Sequence, residues 1–167
     1  SEQYNLTKLL KSSRWPSWSH INNEILFTSE NIIYQINPET FELNTIFKLN
    51  KNLVFNGLFI GWSVWSPDGS KIALISNFLD KEKLTSTLYS VDKNGKAFKP
   101  LINRTGIGPD ERPSWSPDGN SIVYSSFTNS DARQVWVINV DTGLNTQLTS
   151  GTHMNGFPAW EPVGVIP

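Results

Sequence analysis

Trp65–Gly69 (WSPDG) recurs fifty residues later as Trp115–Gly119 (WSPDG), and this repeated stretch decides the fold. Less complete copies surround Trp18 and Trp160, so four tryptophans follow one another at intervals of 47, 50 and 45 residues. Each of the first three is followed by an isoleucine seven positions later and by a serine eleven positions later. A shared register at this period indicates a repeat protein whose unit is about 45–50 residues long.

The residues of one unit indicate four short strands. Ser-Pro-Asp-Gly favours a tight turn after the tryptophan, because proline fixes φ, aspartate bonds nearby backbone N–H groups and glycine accepts a positive φ. The second strand is apolar at consecutive positions, as in Ile72–Ile75, which indicates burial on both faces. A third strand such as Val135–Ile138 leads through another turn to a fourth. The sequence therefore predicts an all-β protein, a β-propeller of about three four-stranded antiparallel blades with partial blades at both ends.

The tryptophan register also predicts how the chain divides. The whole chain, residues 1–167, is interpreted as a single partial β-propeller domain. Within it the three blades are predicted at residues 15–61, 62–111 and 112–156. Their tryptophans are expected to occupy equivalent buried places, at Trp18, Trp65 and Trp115.

The two ends of the chain are predicted to carry pieces of further blades. Leu6–Thr7 and Leu148–Thr149 both stand twelve residues before a tryptophan. Residues 3–14 are therefore expected to form the last strand and exit loop of a preceding blade, and residues 157–167 the first strand of a following or closing blade. Closed propellers need about four to eight blades, and an open stack exposes apolar faces. We expect a missing propeller half, or self-association, to cover these faces.

Composition excludes several classes of function. The chain has 14 Lys and Arg against 15 Asp and Glu, and this net charge of −1 argues against a nucleic-acid partner. It has no cysteine and only two histidines, so neither a metal site nor a cofactor is predicted. No apolar run is long enough to cross a bilayer, and membrane insertion is not expected. Gly61–Trp65 (GWSVW) lacks the second glycine of a nucleophile elbow, and Asp68 and Asp118 are interpreted as turn residues, so no catalytic residue is predicted.

The candidate binding residues stand just before each innermost strand. Equivalent positions of successive blades meet around the central channel of a propeller, and three of the four residues that lie three places before a repeat tryptophan are aromatic. These positions and their preceding neighbours predict a peptide- or sugar-binding arc at one channel mouth, made of Arg14, Trp15, Trp62, Glu111, Arg112 and Phe157. The alternative is that these aromatic side chains only pack between adjacent blades.

A second candidate surface is the apolar stretch Leu53–Ile60, which lies in a connection between blades. Connections are usually polar, so this stretch is expected to contact a partner, to form a buried lid or to add a strand.

The repeat resembles a known family. The Trp-Ser-Pro-Asp-Gly turn, the apolar second strand, a Val/Ile-Trp/Tyr third strand and a Leu-Thr end are similar to the WD-type repeat of the TolB-like β-propeller family. The chain resembles the C-terminal half of such a propeller. The first unit departs from the pattern, because His20–Asn23 stands where later units have Pro-Asp-Gly.

The resemblance implies a non-catalytic scaffold of the cell envelope, periplasmic or extracellular, that presents its channel mouth and loops to a protein or peptide partner. Similar propellers also form the gating or substrate-binding part of enzymes, such as prolyl-oligopeptidase-type hydrolases or sugar lyases. A hydrolase domain would have to lie outside this chain, and a lyase would need several histidines facing the channel. Both features are missing here, so binding is the favoured hypothesis.

Overall fold

The computed structural model describes residues 10, 12–19, 21–50, 52, 57–78, 85–102, 110–127 and 132–161. These residues form twelve strands in three separate four-stranded antiparallel sheets, so the prediction of an all-β chain with three such blades is confirmed. In the part of the chain so described, no helix has the length and hydropathy to cross a membrane.

Each sheet is a meander, because its four strands lie side by side in chain order. The first sheet consists of β1 (Arg14–Trp18), β2 (Ile25–Ser29), β3 (Ile32–Ile36) and β4 (Leu43–Phe47). The second consists of β5 (Ile60–Trp65), β6 (Lys71–Ser76), β7 (Thr87–Asp92) and β8 (Lys99–Pro100). The third consists of β9 (Asp110–Trp115), β10 (Ser121–Phe127), β11 (Arg133–Asn139) and β12 (Asn145–Gln147). Each sheet thus begins one or two residues before the boundary that the tryptophan register predicts for its blade.

The Ser-Pro-Asp-Gly turns join the first and second strands of the second and third blades. Asp68 accepts hydrogen bonds from the hydroxyl of Ser66 (2.6 Å) and from the hydroxyl and backbone N–H of Ser70 (2.7 and 3.0 Å). These donors, the Ser66 hydroxyl first, lower the pKa of Asp68 to about 2. Asp118 repeats the arrangement with Ser116 as its main donor, and its pKa is also lowered. The two carboxylates therefore order their own turns, as the sequence predicts.

The core lies between the blades rather than inside any one of them. The first cluster joins Leu26 and Phe47 of the first blade to Trp65 and Leu74 of the second. The second cluster joins the second blade to the third in the same way, through Leu88 and Trp115 among others. Trp65 and Trp115 are only 8% and 7% exposed. The tryptophan of each of these blades therefore packs against the preceding blade, which stabilises the stack by burying a large aromatic surface.

Trp18 corrects the prediction that all three tryptophans are equally buried. It is 53% exposed, whereas its two counterparts are almost fully buried. Among the described residues no sheet precedes the first blade, so the indole of Trp18 has no face to pack against. Leu144 and Leu148 of the third blade are 69% and 56% exposed. The outer faces of the first and third blades are thus apolar and open.

The predicted partial blades fall mostly on residues that the structure leaves undescribed. The strand expected near residues 3–7 lies outside the described residues, as do residues 162–167. Residues 157–161 are described and have no strand pairing. His20, within the degenerate turn of the first blade, also lies outside the described residues.

Candidate functional site

A β-bulge occurs at the same place in the innermost strand of every blade. The strand register shifts between three pairs of equivalent residues, which are Arg14 and Ser17, Gly61 and Val64, and Glu111 and Ser114. Inside the bulges Trp15, Trp62 and Arg112 have positive φ values of 55°, 46° and 53°, and the aligned Phe157 has 60°. Bulges redirect side chains, and residues with a Cβ atom seldom adopt a positive φ. The repeat thus turns Trp15, Trp62 and Arg112 out of the regular strand alternation, and Phe157 has the same backbone conformation outside a strand.

The redirected side chains meet in one cavity, which we call the channel-mouth pocket. Its volume is about 310 Å³, and Trp15, Trp62, Arg112 and Phe157 line it together with Pro16, Ser63, Val64, Pro113 and Pro158. Four of the six residues predicted for the arc are therefore brought together. The volume is at the lower end of the range common for small-ligand sites.

Trp15 and Trp62, which line the channel-mouth pocket, pack with Phe59 at the boundary of the first and second blades. The ring centroids of Trp15 and Trp62 lie 5.2 Å apart, and Phe59 lies 5.5 Å from Trp15 and 5.4 Å from Trp62. A Cβ atom on Gly61 would lie 2.5 Å from Cζ3 of Trp15, so only glycine leaves room for this indole. Trp15 and Trp62 therefore line the pocket and also pack between blades, as the alternative interpretation requires.

Phe59 packs against these two indoles, although the sequence analysis placed it on a different surface. It belongs to the apolar stretch Leu53–Ile60, in which Leu58 is 8% and Ile60 1% exposed. The expectation of a partner-contacting surface is wrong for these residues, because they enter the core at the start of β5. Residues 53–56 lie outside the described residues.

Of the three charged residues of the predicted arc, Arg112 lines the channel-mouth pocket, whereas Glu111 and Arg14 do not. Arg112 is exposed, its guanidinium lies 4.0 Å from the ring centroid of Phe157, and within the described residues it has no ion pair. Glu111 instead forms an ion pair with Arg133 at 3.0 Å, in which both side chains are largely buried. Arg14 lies 5.9 Å from the Trp15 ring and does not line the pocket. The channel mouth therefore presents a cationic group beside aromatic faces.

A buried glutamine orders the connection that leads to Phe157. Gln134 is fully buried; its side chain donates to the carbonyls of Gly151 and His153 at 3.0 Å and accepts from Thr149 (2.7 Å) and Asn155 (3.0 Å). All of its hydrogen-bonding groups are thereby used. Nothing in the sequence singles out this residue, since its partners lie 15–21 positions away.

The residues considered for chemistry have structural roles. Ser63, the central serine of Gly61–Trp65, is 1% exposed and shares a hydrogen bond of 3.2 Å with Thr28 of the preceding blade. The stretch is strand β5 rather than a nucleophile elbow. Among the described residues no group of three or more His, Cys, Asp or Glu side chains could hold a metal ion.

No family model matches the sequence, but individual proteins are similar to it. An uncharacterized protein of Agrobacterium fabrum is 28% identical over 89% of this chain and 47% of its own length. The Tol-Pal system protein TolB of Alcanivorax borkumensis is 36% identical over 34% of this chain and 13% of its own. The uncharacterized peptidase YuxL of Bacillus subtilis is 26% identical over 60% of this chain and 15% of its own. The chain thus matches less than half the length of each relative.

Solved structures share the fold. A putative TolB from Agrobacterium tumefaciens superposes with a TM-score of 0.66 at 21% identity, over 88% of this chain and 49% of that one. TolB from Acinetobacter baumannii has a TM-score of 0.62 at 22% identity, over 81% of this chain and 32% of that one. The β-propeller domain of the Trilobed protease from Pyrococcus furiosus has a TM-score of 0.55 at 14% identity, over 82% of this chain and 42% of that one. The solved structures show that the chain has the β-propeller fold, and its sequence is similar to that of TolB proteins over part of their length.

Proposed function

We propose that this chain is a non-catalytic binding module that holds a segment of a protein partner in the channel-mouth pocket. The observation that carries the proposal is the convergence of three equivalent bulged residues and the aligned Phe157 on one cavity, which Trp15, Trp62, Arg112 and Phe157 line. Each bulged residue accepts a backbone conformation that costs about 1–3 kcal/mol outside glycine. Backbone strain of this kind is concentrated at functional sites, which supports a binding role for the pocket.

The chemistry of the pocket favours an extended peptide with an apolar or proline side chain beside a carboxylate. The walls offer indole faces and the ring edges of Pro16, Pro113 and Pro158, surfaces that suit apolar and proline side chains. Arg112 lines this cavity and supplies its positive charge. A planar guanidinium group can bind a carboxylate through two parallel hydrogen bonds. Because Glu111 is engaged with Arg133, it does not neutralise Arg112.

The open faces of the first and third blades support a second part of this proposal: further blades of the same repeat cover them. Trp18 and Leu148 expose apolar surface that the internal interfaces bury at equivalent places. Light scattering coupled to size exclusion is expected to show association, or binding of a hydrophobic dye, for the isolated 167-residue chain. A cooperatively folding monomer that binds no dye would contradict this part.

We place the module in the bacterial periplasm, as part of the cell envelope. This location is supported by sequence and structural similarity to proteins named TolB, one of which is a Tol-Pal system protein. Cell fractionation with an antibody against the chain tests this location.

A peptidase propeller is the second candidate function. It is supported by the sequence similarity to a protein named as a peptidase and by a fold neighbour from a structural study of prolyl endopeptidases. In that case a hydrolase domain would accompany the propeller in the intact polypeptide. Labelling of the immunoprecipitated native protein with a fluorophosphonate probe would favour the peptidase, and its absence would favour the binding module.

The binding proposal is tested with fluorescein-labelled pentapeptides in which proline, tryptophan and glutamate are varied. Peptides that combine an apolar residue with glutamate are expected to bind, measured by fluorescence anisotropy. Arg112→Ala with Phe157→Ala is expected to weaken binding about tenfold or more, which corresponds to about 1.4 kcal/mol. Both side chains are exposed, so the fold is expected to persist. Trp160→Ala is the matched control, and equal affinity of the double variant and the control would refute the proposal.

A further inference from the structure

A second cavity, of about 500 Å³, lies at the opposite ends of the innermost strands. All four repeat tryptophans line it, so we call it the four-tryptophan cavity: Trp18, Trp65, Trp115 and Trp160. Trp65 and Trp115 are held in the core, whereas Trp18 and Trp160 are 53% and 38% exposed. Trp65 and Trp115 line the cavity although the preceding blade packs on each of them, so a further blade packed on Trp18 would leave that indole lining the cavity too.

The charge around the four-tryptophan cavity is negative. Among the described residues that line the cavity, Glu161 is the one with a charged side chain, and none is Lys, Arg or His. Pro67 and Pro117, which also line the cavity, are directly followed by Asp68 and Asp118. Hydroxyl donors lower the pKa of both aspartates, which therefore stay ionised well below neutral pH. Lys71 lines an adjacent cleft together with Asp68, Asp118 and Asp141, where the three carboxylates outnumber it, and this cleft shares Pro67, Trp115 and Pro117 with the four-tryptophan cavity.

We propose that the four-tryptophan cavity binds a small quaternary ammonium cation. The face of an indole carries the negative lobe of its quadrupole and attracts a cation more strongly than any other side-chain ring. Assemblies of aromatic faces are the usual receptors for quaternary ammonium groups, which carry no N–H donors that must be satisfied. Glu161 supplies the compensating charge.

Primary ammonium groups fit this cavity less well. A lysine ammonium is compact and strongly hydrated, and it brings three donors that must be satisfied after desolvation. Besides Glu161, the side-chain acceptors of the lining are the hydroxyls of Ser17 and Ser114. A methylated nitrogen avoids this cost, so the cavity is expected to prefer choline to lysine.

This inference is independent of the peptide proposal, because it rests on other residues and on the opposite charge. Arg112 makes the channel-mouth pocket suitable for an anion, whereas Glu161 makes the four-tryptophan cavity suitable for a cation. The two cavities lie next to each other along the inner strands, since Val64 and Pro113 line both.

The test uses the full chain and three probes in isothermal titration calorimetry. Choline chloride is expected to bind with one saturable isotherm. Its uncharged isostere 3,3-dimethyl-1-butanol and lysine amide are expected to bind more weakly. Equal binding of the alcohol would overturn the proposal, because the cavity would then recognise only apolar shape. Tighter binding of lysine amide would equally overturn it.

Variants of the exposed indoles link binding to the cavity. Trp18→Ala and Trp160→Ala are each expected to weaken choline binding about two- to thirtyfold, the range of one cation–π contact. Trp160→Phe keeps a ring and is expected to fall between wild type and Trp160→Ala, and Glu161→Gln is expected to reduce the salt dependence of binding. Leu144→Ala changes an exposed residue that lines neither cavity; it is the control and should bind as wild type does. Unchanged affinity in folded Trp18→Ala and Trp160→Ala, judged by circular dichroism, would refute the inference.

Discussion

Substituting Gly61 by alanine tests the packing that builds the wall of the channel-mouth pocket. The added Cβ atom would lie 2.5 and 2.9 Å from two ring atoms of Trp15 and 2.7 Å from Cζ of Phe59. Ordinary contacts of a Cβ atom begin near 3.4 Å, so both rings must move by up to about an ångström. Trp15 is itself held by its positive φ and by Trp62, which limits how far it can retreat.

The expected cost is the cost of overpacking. Forcing an extra methyl group into a well-packed region typically destabilises a protein by about 1–3 kcal/mol. For a chain of this size each kcal/mol lowers the melting temperature by about 2–4 °C, so a loss of about 2–12 °C is expected for Gly61→Ala. Chemical denaturation by urea, followed by tryptophan fluorescence, gives the same quantity as a free energy of unfolding.

Two controls separate this clash from other effects of replacing glycine. A Cβ atom on Gly156 meets the flexible side chain of Arg133 at 2.9 Å and no backbone, so Gly156→Ala is expected to cost clearly less. In a Trp15→Ala background the cost of Gly61→Ala is expected to shrink, because most of the obstructing ring is gone. If Gly61→Ala unfolds at the wild-type temperature, or costs as much without Trp15 as with it, the packing argument is wrong.

Three further expectations concern the turns, the core and the loop that leads to Phe157. The lowered pKa of Asp68 contributes stability that is present above pH 4 and is lost as the pH falls towards about 2. Because this carboxylate is exposed, the effect is at most about 1 kcal/mol. The free energy of unfolding in urea should therefore depend less on pH over that interval for Asp68→Asn than for wild type. Leu74→Ala in the fully buried first cluster should cost about 2–5 kcal/mol in urea unfolding, whereas Leu144→Ala on the open face should stay within about 0.5 kcal/mol of wild type. Gln134→Leu removes four hydrogen bonds and should cost about 1–3 kcal/mol, with faster hydrogen exchange in residues 149–155; slow exchange there would contradict the assigned role.

The repeat made much of the architecture predictable. Trp65 and Trp115 with their Ser-Pro-Asp-Gly turns indicate one supersecondary unit, and a unit that repeats in register must bury equivalent faces against its neighbours. Turn chemistry is local, so the hydrogen bonds of Asp68 follow from five consecutive residues. The arc of Trp15, Trp62 and Arg112 was predictable for the same reason, since rotation about one axis brings equivalent positions together.

The rest depended on contacts between residues that are distant in sequence. Trp18 has the same local sequence signal as Trp65, yet it is exposed, because burial is a property of the neighbouring sheet and not of the residue. Glu111 stands in the predicted arc, but its pairing with Arg133 of another strand withdraws it from the pocket. Phe59 contacts Trp15 of the preceding blade only because Gly61 leaves room for that indole. The amino-acid sequence by itself determined the repeat, its turns and the equivalence of the four positions before the repeat tryptophans. The tertiary structure decided which side chains face a cavity, since that depends on how neighbouring blades pack.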